Sequence, residues 1–491
     1  MSGFSTTEQT TVSPHSLQTL HGSRRVYPSV EELNAVVDRA SAAQKAWAKV
    51  PLPQRIAIGR KFMETTGPQE EFRRFADRAA SELTLQMGRP ISQTPGELRG
   101  MLDRTDYMLS IAESSLADVP LTDTDKPGFR RFIRRVPLGV VLCIAPWNYP
   151  YLTSVNCVIP ALMAGNAVIL KPSPQTPLTG ERFRDALVAA GVPADVIQVV
   201  HLSPELTTHA IQHPLVDFVS FTGSVANGRS VEIAAATAPT FKGVALELGG
   251  KDPAYVRADA DLAYTTAELV DGAMFNSGQS CCAVERIYVH ESVFDEFVAR
   301  FVEIVKRYRL DNPTNPATSM GPVVSIASAE RIRKQVADAV AAGAKTLIPE
   351  SHFPMARPGN AFVAPQVLVD VDHSMDIMKA SPHNEETFGP VVGIMKVSSD
   401  EEAVHLMNDS PYGLTASVWT NAAANPESQA AFLRIEEELQ AGTIFLNRCD
   451  YLDPALAWTG VKNSGRGVSL SKFGYDQLTR AKSVHMKIQT S

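Results

Sequence analysis

At 491 residues the chain is too long for one ordinary hydrophobic core, and its length implies two or three domains. Its 44% hydrophobic and 20% charged content is that of a globular protein, and a formal charge of −7 with a pI near 5.9 argues against nucleic acid as a partner. No run approaches the ~18 apolar residues that cross a membrane, the polar start MSGFSTTEQTTVSPHSLQ lacks an apolar signal core, and five irregularly spaced cysteines make neither a disulfide framework nor a metal site, so a cytoplasmic, metal-free protein is expected.

Composition makes the first 25 or so residues a disordered or loosely docked tail. Helices follow. Ser29 and Glu32 have capping-box spacing ahead of Leu33, Val36, Val37, Ala40 and Trp47, and helical periods continue over 56–63, 70–87 and 97–116, the second of these stopping at Gly88-Arg89-Pro90. The basic cluster Arg130, Arg131, Arg134 and Arg135 alternates around Phe132 and Ile133 as on the exposed side of a β-ribbon.

From Gly139 short apolar runs at 140–144, 167–170, 196–200, 217–221 and 244–246 alternate with helical stretches at 152–163, 180–190, 206–212 and 225–235. That pattern predicts an α/β fold with a doubly wound parallel sheet, whose ligands sit beyond the carboxyl ends of the strands. Four ends carry polar or glycine-rich groups: Trp147-Asn148-Tyr149, Lys171-Pro172-Ser173, Thr222-Gly223-Ser224 and Glu247-Leu248-Gly249-Gly250. Gly223 to Gly228, between strand and helix, suits a pyrophosphate because it leaves backbone N–H groups and a helix N-terminus facing outward.

Beyond Gly250 a second α/β unit is expected, with a helix capped by Ser292 and Asp295, strand-like runs at 362–369, 391–397, 416–419 and 443–446, helices at 326–342 and 426–439, and an irregular loop at 351–361. Within it a helical run from Leu262 to Phe275 stops at Asn276-Ser277-Gly278, and Gln279-Ser280-Cys281-Cys282 follows directly before a strand at 286–290. A thiol at such a junction is well placed for nucleophilic chemistry, whereas a cysteine without such company is more often a small buried hydrophobe.

The pattern Phe275, Gly278, Gln279, Cys281, Ala283 resembles the active-site signature of the NAD(P)-dependent aldehyde dehydrogenases, and PWNYP, ELGG and EETFGP resemble that family in the same order from about Pro137 to Gly467. The resemblance implies Cys281 as nucleophile, Asn148 with the Cys281 backbone N–H as oxyanion donors, and Glu247 as the base that activates water. For the cofactor, NAD or NADP, it implies Lys171 at the adenosine ribose, Ser224 at the pyrophosphate, and Glu386 with Phe388 at the nicotinamide end, with Trp147, Ser173 and Gly223 alongside. Pro174 stands where many NAD-preferring relatives place a glutamate, so nothing there repels a 2′-phosphate and both cofactors stay open.

For the substrate, the same resemblance places Trp458 as an aromatic wall opposite Tyr149, with Ser280, Cys282, Tyr451 and Leu452 nearby, and this lining favours an apolar aliphatic or aromatic aldehyde. Arg448, Asp450 and Asp453 are expected as solvated loop charges, although either sign suits a semialdehyde carboxylate or an aminoaldehyde ammonium. The implied organisation is a dinucleotide-binding domain (1–125 and 138–249), a catalytic domain (250–465) and a bridging segment (126–137 and 466–491) that makes a homodimer or homotetramer. Two rivals stand beside hydrolytic oxidation: a CoA-acylating relative, for which Glu247 would waste the thioester, and a non-catalytic nucleotide-binding relative, which has no need of Cys281, Glu247 and Asn148 together.

Overall fold

The computed structural model describes residues 7–66, 70–121, 124, 126–379 and 386–489; the first six residues of the expected tail, the expected domain boundary at 125, Glu385 of EETFGP and the last two residues of the chain lie outside them. The five apolar runs form parallel strands at Val140–Ile144, Ala167–Lys171, Ile197–Val199, Val216–Thr222 and Gly243–Glu247. Val140–Ile144 and Ala167–Lys171 are buried at every position, with helices Val30–Trp47 and Pro150–Ala164 packed against them. Burial on both faces is why these strands read as continuous apolar runs instead of alternating ones.

Across this sheet the order is Gly465–Arg466, Gly243–Glu247, Val216–Thr222, Val140–Ile144, Ala167–Lys171, Ile197–Val199. The chain runs outward in both directions from Val140–Ile144, so the crevice between it and Val216–Thr222 is the switch point where open α/β sheets take ligands. The antiparallel edge strand Gly465–Arg466, paired Gly465 to Glu247, was not anticipated. Two residues are too few to show a period, and the expected boundary at 465 falls inside them.

A second sheet has the order Lys345–Thr346, Gln366–Val369, Val391–Val397, Val284–His290, Asp252–Val256, Thr415–Trp419, Thr443–Leu446, parallel except at its first pair. The two sheets are joined directly. Glu247 ends a strand of the first and Asp252 begins a strand of the second, so the segment 248–251 crosses from the carboxyl edge of one sheet to the amino edge of the other. A third sheet is the ribbon: Phe129–Pro137 pairs antiparallel with Thr479–Lys487 along its full length, and Val119–Pro120 adds a short third strand. Arg134 pairs with Asp118 at 3.0 Å and its guanidinium stacks over the Phe132 ring, so the basic cluster is ribbon surface, as expected.

Two expectations are corrected. Residues 7–26 are folded: Glu8–Gln9 pairs with Arg25–Val26, and Thr11, Ser13 and Ser23 are buried. The Thr11 hydroxyl donates to the Pro174 carbonyl at 2.9 Å. Short polar side chains satisfy this segment's buried backbone, an ordering force that composition does not register. Ser292 does not cap the helix Phe294–Val305; its hydroxyl pairs with His290 Nδ1 at 2.8 Å instead.

Ribbon and first sheet are tied by Asn166, which has no exposed surface. Its Oδ1 accepts from the N–H groups of Leu138 (2.7 Å) and Gly139 (3.0 Å), and its Nδ2 donates to the carbonyls of Ala161 (3.2 Å) and Leu478 (2.9 Å). Asn166→Ala takes the side-chain partner from the Leu138 and Gly139 N–H groups and the Leu478 carbonyl, the Ala161 carbonyl keeping the residue 166 N–H, and is expected to cost roughly 2–4 kcal/mol, read as a thermal midpoint several degrees lower. A midpoint equal to that of the parent protein counts against this role.

Candidate active site

The helix Leu262–Met274, capped by Asp261, ends in a turn in which Asn276 (φ 51°), Ser277 (φ 56°) and Gly278 (φ 68°) are all left-handed. Only glycine fits at 278, since a Cβ there would lie 2.1 Å from the Gly389 carbonyl oxygen. The two costlier residues are held by their side chains. Asn276 Nδ2 donates to the Gln279 carbonyl (3.1 Å), Gln279 Nε2 returns a bond to the Asn276 carbonyl (3.0 Å), and Ser277 donates to Gly321 (2.9 Å). Cys281 is thus presented from an over-determined turn just before the strand Val284–His290.

Three motifs that are distant in sequence meet at this turn. A Cβ on Gly250 would lie 2.4 Å from the Cys281 carbonyl oxygen, so close approach demands glycine there, whereas one on Gly249 would displace the Glu386 carboxylate, 2.1 Å away. Gly250 N–H donates to Glu386 Oε1 at 2.8 Å. The FGP segment is carried by Glu285, which accepts from the N–H groups of Thr387 (3.0 Å) and Phe388 (2.9 Å) and is paired to buried Lys251 at 2.6 Å.

Two cavities flank the thiol. One, of about 470 Å³, lies at the switch point and is lined by Trp147, Asn148, Gly223, Ser224, Glu386 and Phe388 among others, with Trp147 and Phe388 rings edge to face at 5.6 Å. The other, of about 310 Å³, is lined by Ser280, Cys282, Tyr451 and Leu452 as expected, and also by Gly100, Asp103, Arg104, Leu152, Asp271, Phe275, Asp450 and Pro454. Tyr149, Thr153, Glu247 and Cys281 line both. Asn148 sits beside the Cys281 loop, its Nδ2 donating to the Gln279 carbonyl at 3.3 Å.

Several expected residues fall elsewhere. Trp458 lines neither of these cavities: it is 3% exposed, behind Glu247, with its indole N–H close to that carboxylate but completing no hydrogen bond. Lys171 and Ser173 lie one strand over from the larger cavity, at the end of Ala167–Lys171. Asp450 is no solvated loop charge; its Oδ1 accepts from Ser280 Oγ (2.9 Å) and Cys282 Sγ (3.0 Å) inside the smaller cavity. Asp453 and Arg448 are exposed as expected, Arg448 lying over the Tyr451 ring at 3.5 Å.

Burial governs the electrostatics. Desolvation raises the Glu247 carboxyl above its ordinary range, opposed by Trp458, the Arg104 charge and the Thr222 hydroxyl. Contact with the Cys282 thiol lowers the pKa of Cys281, but burial together with the charges of Glu247, Glu386 and Asp252 outweighs it, and the thiol stays above its ordinary value. Lys171, buried and without a hydrogen-bond or ion-pair partner among the described residues, is brought down to about 8. A dinucleotide fits these residues: a helix N-terminus at Ser224, whose hydroxyl caps Val225–Ala236, an unpaired buried ammonium, and aromatic rings on the cavity wall.

The model of the aldehyde dehydrogenase family matches residues 5–484. The chain belongs to the aldehyde dehydrogenase family. Among its relatives, an NADP-dependent succinate-semialdehyde dehydrogenase of Mycobacterium avium is 36% identical over 410 residues, 83% of each chain, and a probable betaine aldehyde dehydrogenase of Schizosaccharomyces pombe is 32% identical over 93% of this chain and 88% of its own. The solved NAD-dependent aldehyde dehydrogenase of Sinorhizobium meliloti superposes with a TM-score of 0.89 at 30% identity, over 99% of this chain and 92% of that one. The protein is an NAD(P)-dependent aldehyde dehydrogenase with that family's α/β fold, and among the described residues no helix is long and apolar enough to cross a membrane.

In this dehydrogenase the residue that sequence reasoning passed over is Arg89, taken only as part of a helix stop. It is 1% exposed and ion-paired to Glu97, which is equally buried. Its Nε donates to Asn276 Oδ1 at 3.1 Å, its Nη2 to the Asn148 carbonyl, and its guanidinium covers the Tyr149 ring at 4.2 Å. One side chain therefore fixes both the Asn148 turn and the Cys281 turn. Gly88 (φ 86°) and Pro90 around it were a visible signal of a fixed backbone, though not of its use.

Arg89→Met leaves Glu97 buried without its partner and is expected to cost about 3–5 kcal/mol. The double variant Arg89→Met with Glu97→Gln is expected to regain most of that stability while kcat stays at least ~10-fold down. Recovery of both together would reduce Arg89 to a structural role.

Proposed function

We propose that this dehydrogenase converts an aldehyde to its carboxylic acid by a hydrolytic route, with NADP preferred over NAD. The observation that carries the reading is that Cys281 and Glu247 stand on the wall common to the two cavities, where hydride must pass from substrate to cofactor. Cys281, passing its thiol proton to Glu247, adds to the aldehyde carbon to give a thiohemiacetal, its oxyanion facing Asn148 Nδ2 and the Cys281 N–H, and Glu247 releases that proton to solvent before hydrolysis. Bound nicotinamide supplies the hydride acceptor. Loss of hydride from that carbon leaves a thioester on Cys281; water, giving its proton to Glu247, attacks the thioester, the C–S bond breaks, and acid and thiol are released.

Glu386, Ser224 and Gly223 would hold the cofactor from the larger cavity and Lys171 with Ser173 from the neighbouring strand end. NADP preference is supported by the unpartnered Lys171 ammonium and by Pro174, which brings no carboxylate against a 2′-phosphate. The apolar surfaces of Leu152, Phe275, Leu452 and Pro454 support a substrate with an apolar stem. A homodimer or homotetramer is supported by the exposed ribbon strand Thr479–Lys487, whose outer edge has no partner among the described residues.

Reduced-cofactor absorbance without CoA tests the route. Cys281→Ala is expected to abolish turnover while sparing cofactor binding, and Glu247→Gln to give a first-turnover burst and then a steady state at least ~10²-fold slower; an unchanged steady state would remove Glu247 as base. Because Glu247 must be ionised to accept a proton and its pKa is raised, kcat should fall with decreasing pH on a limb lying above the ordinary glutamate range, and Glu247→Gln should lose that limb. Preference for NADP in kcat/KM should exceed ~10-fold and shrink in Lys171→Ala; equal use of both cofactors sinks this part.

A further inference from the structure

The smaller cavity is charged in one sense. Asp103, Asp271, Asp450 and Glu247 line it against a single cation, Arg104. That cation is already engaged: its Nη1 donates to the Leu152 carbonyl (2.7 Å) and Asn156 Oδ1 (3.1 Å), and the nearby Glu247 answers its charge. Asp450 has no ion-pair partner among the described residues, and the one cation whose charge reaches it is Arg89, itself paired to Glu97. Asp450 Oδ1 takes only the uncharged donors Ser280 and Cys282, and its Oδ2 accepts no hydrogen bond. A carboxylate partly withdrawn from water and without an ion-pair partner is costly, and a cationic ligand would offset that cost.

We propose that Asp450 receives a cationic nitrogen at the far end of the substrate, so that this enzyme acts on aldehydes bearing an amine or quaternary ammonium group. The inference rests on the dehydrogenase reading above and deepens it. The lining suits such a molecule: Cys281 for its carbonyl, Leu152, Phe275 and Leu452 for its stem and Asp450 for its charge all face the same cavity. A carboxylate in place of the nitrogen would meet the like charges of Asp450, Asp271 and Asp103 against one lining cation, Arg104, whose charge Glu247 already answers.

Burial raises Asp450 to about 7, with Asp271 adding to the rise and Cys282, Ser280 and Arg89 opposing it; Tyr149 and Cys449 face it as neutral groups. Asp450 is therefore ionised above about 7 and neutral below, so selection for a cation should strengthen as pH rises through that value. Comparing a cationic aldehyde with its neutral isostere removes the titration of Cys281 and Glu247, which both substrates share.

The test is kcat/KM for 3-(trimethylammonio)propanal, for its uncharged carbon isostere 4,4-dimethylpentanal, and for succinate semialdehyde, from pH 6 to 8. The cation should exceed the isostere by at least ~10-fold, the anion should fall below both, and the cation-to-isostere ratio should climb with pH. Asp450→Asn should reduce that ratio ~10-fold and flatten its pH dependence. Preference for succinate semialdehyde, or a ratio untouched by Asp450→Asn, would overturn the proposal while leaving the dehydrogenase reading intact. Silence with every aldehyde would sink both. Should the variant fail to fold, the three-aldehyde series on the parent enzyme decides alone.

Discussion

An arginine and a glutamate with almost no exposed surface hold the reacting centre together. Arg89 and Glu97 neutralise one another, and the arginine spends its remaining donors on the Asn148 carbonyl and Asn276 Oδ1, while Glu97 accepts from the Tyr151 N–H at 2.8 Å. A single buried ion pair of this kind contributes little net stability, because desolvation offsets most of the attraction. Its value lies in geometry. The Asn148 turn belongs to the first sheet and the Cys281 turn to the second, and no backbone hydrogen-bond ladder joins those two turns; the guanidinium does, with three directions of donation fixed by one planar group.

The same division explains why the motifs are loops at sheet edges. In the first sheet the polar groups follow the carboxyl ends of strands; in the second, Cys281, Gly250 and Pro390 each precede the amino ends of three adjacent strands, Val284–His290, Asp252–Val256 and Val391–Val397. The carboxyl edge of one parallel sheet thus faces the amino edge of another. Segment 248–251 is a short direct crossing, and at Gly250, against the Cys281 carbonyl oxygen, it admits no side chain.

The elements were legible because their signals are local. Buried parallel strands give unbroken apolar runs, helices give a 3.6-residue period, and both survive without knowledge of neighbours. The family's motifs were legible as a set, and Cys281, Glu247 and Asn148 all line the larger cavity. What escaped were residues whose meaning depends on distant partners. Arg89 read as part of a helix end, Asp450 as a loop charge and Trp458 as a pocket wall, since nothing within a few positions tells whether a side chain faces water, a cavity or the back of another residue. The folded segment 7–26 escaped for a related reason: its buried serines and threonine make their bonds across the chain, to Pro174 and to each other's turns.

The electrostatics of the shared wall also set an order on the proposed chemistry. Cys281 and Glu247 each carry a raised pKa, and each charge disfavours the other, the Glu247 carboxylate being one of the causes that hold the thiol up. Two anions in one water-poor cavity are costly, so the pair favours at most one negative charge at a time. Hydrolytic oxidation asks for just that sequence: a thiolate while carbon–sulfur bonding begins, with the carboxyl able to hold the released proton, and a carboxylate only later, when sulfur is tied up in the thioester and no longer charged. A site in which both groups titrated in their ordinary ranges would hold an idle carboxylate against the attacking sulfur during the first step. The burial that makes each group individually reluctant to ionise therefore keeps one negative charge on the wall at each stage, Glu247 handing the thiol's proton to solvent before it takes one from water.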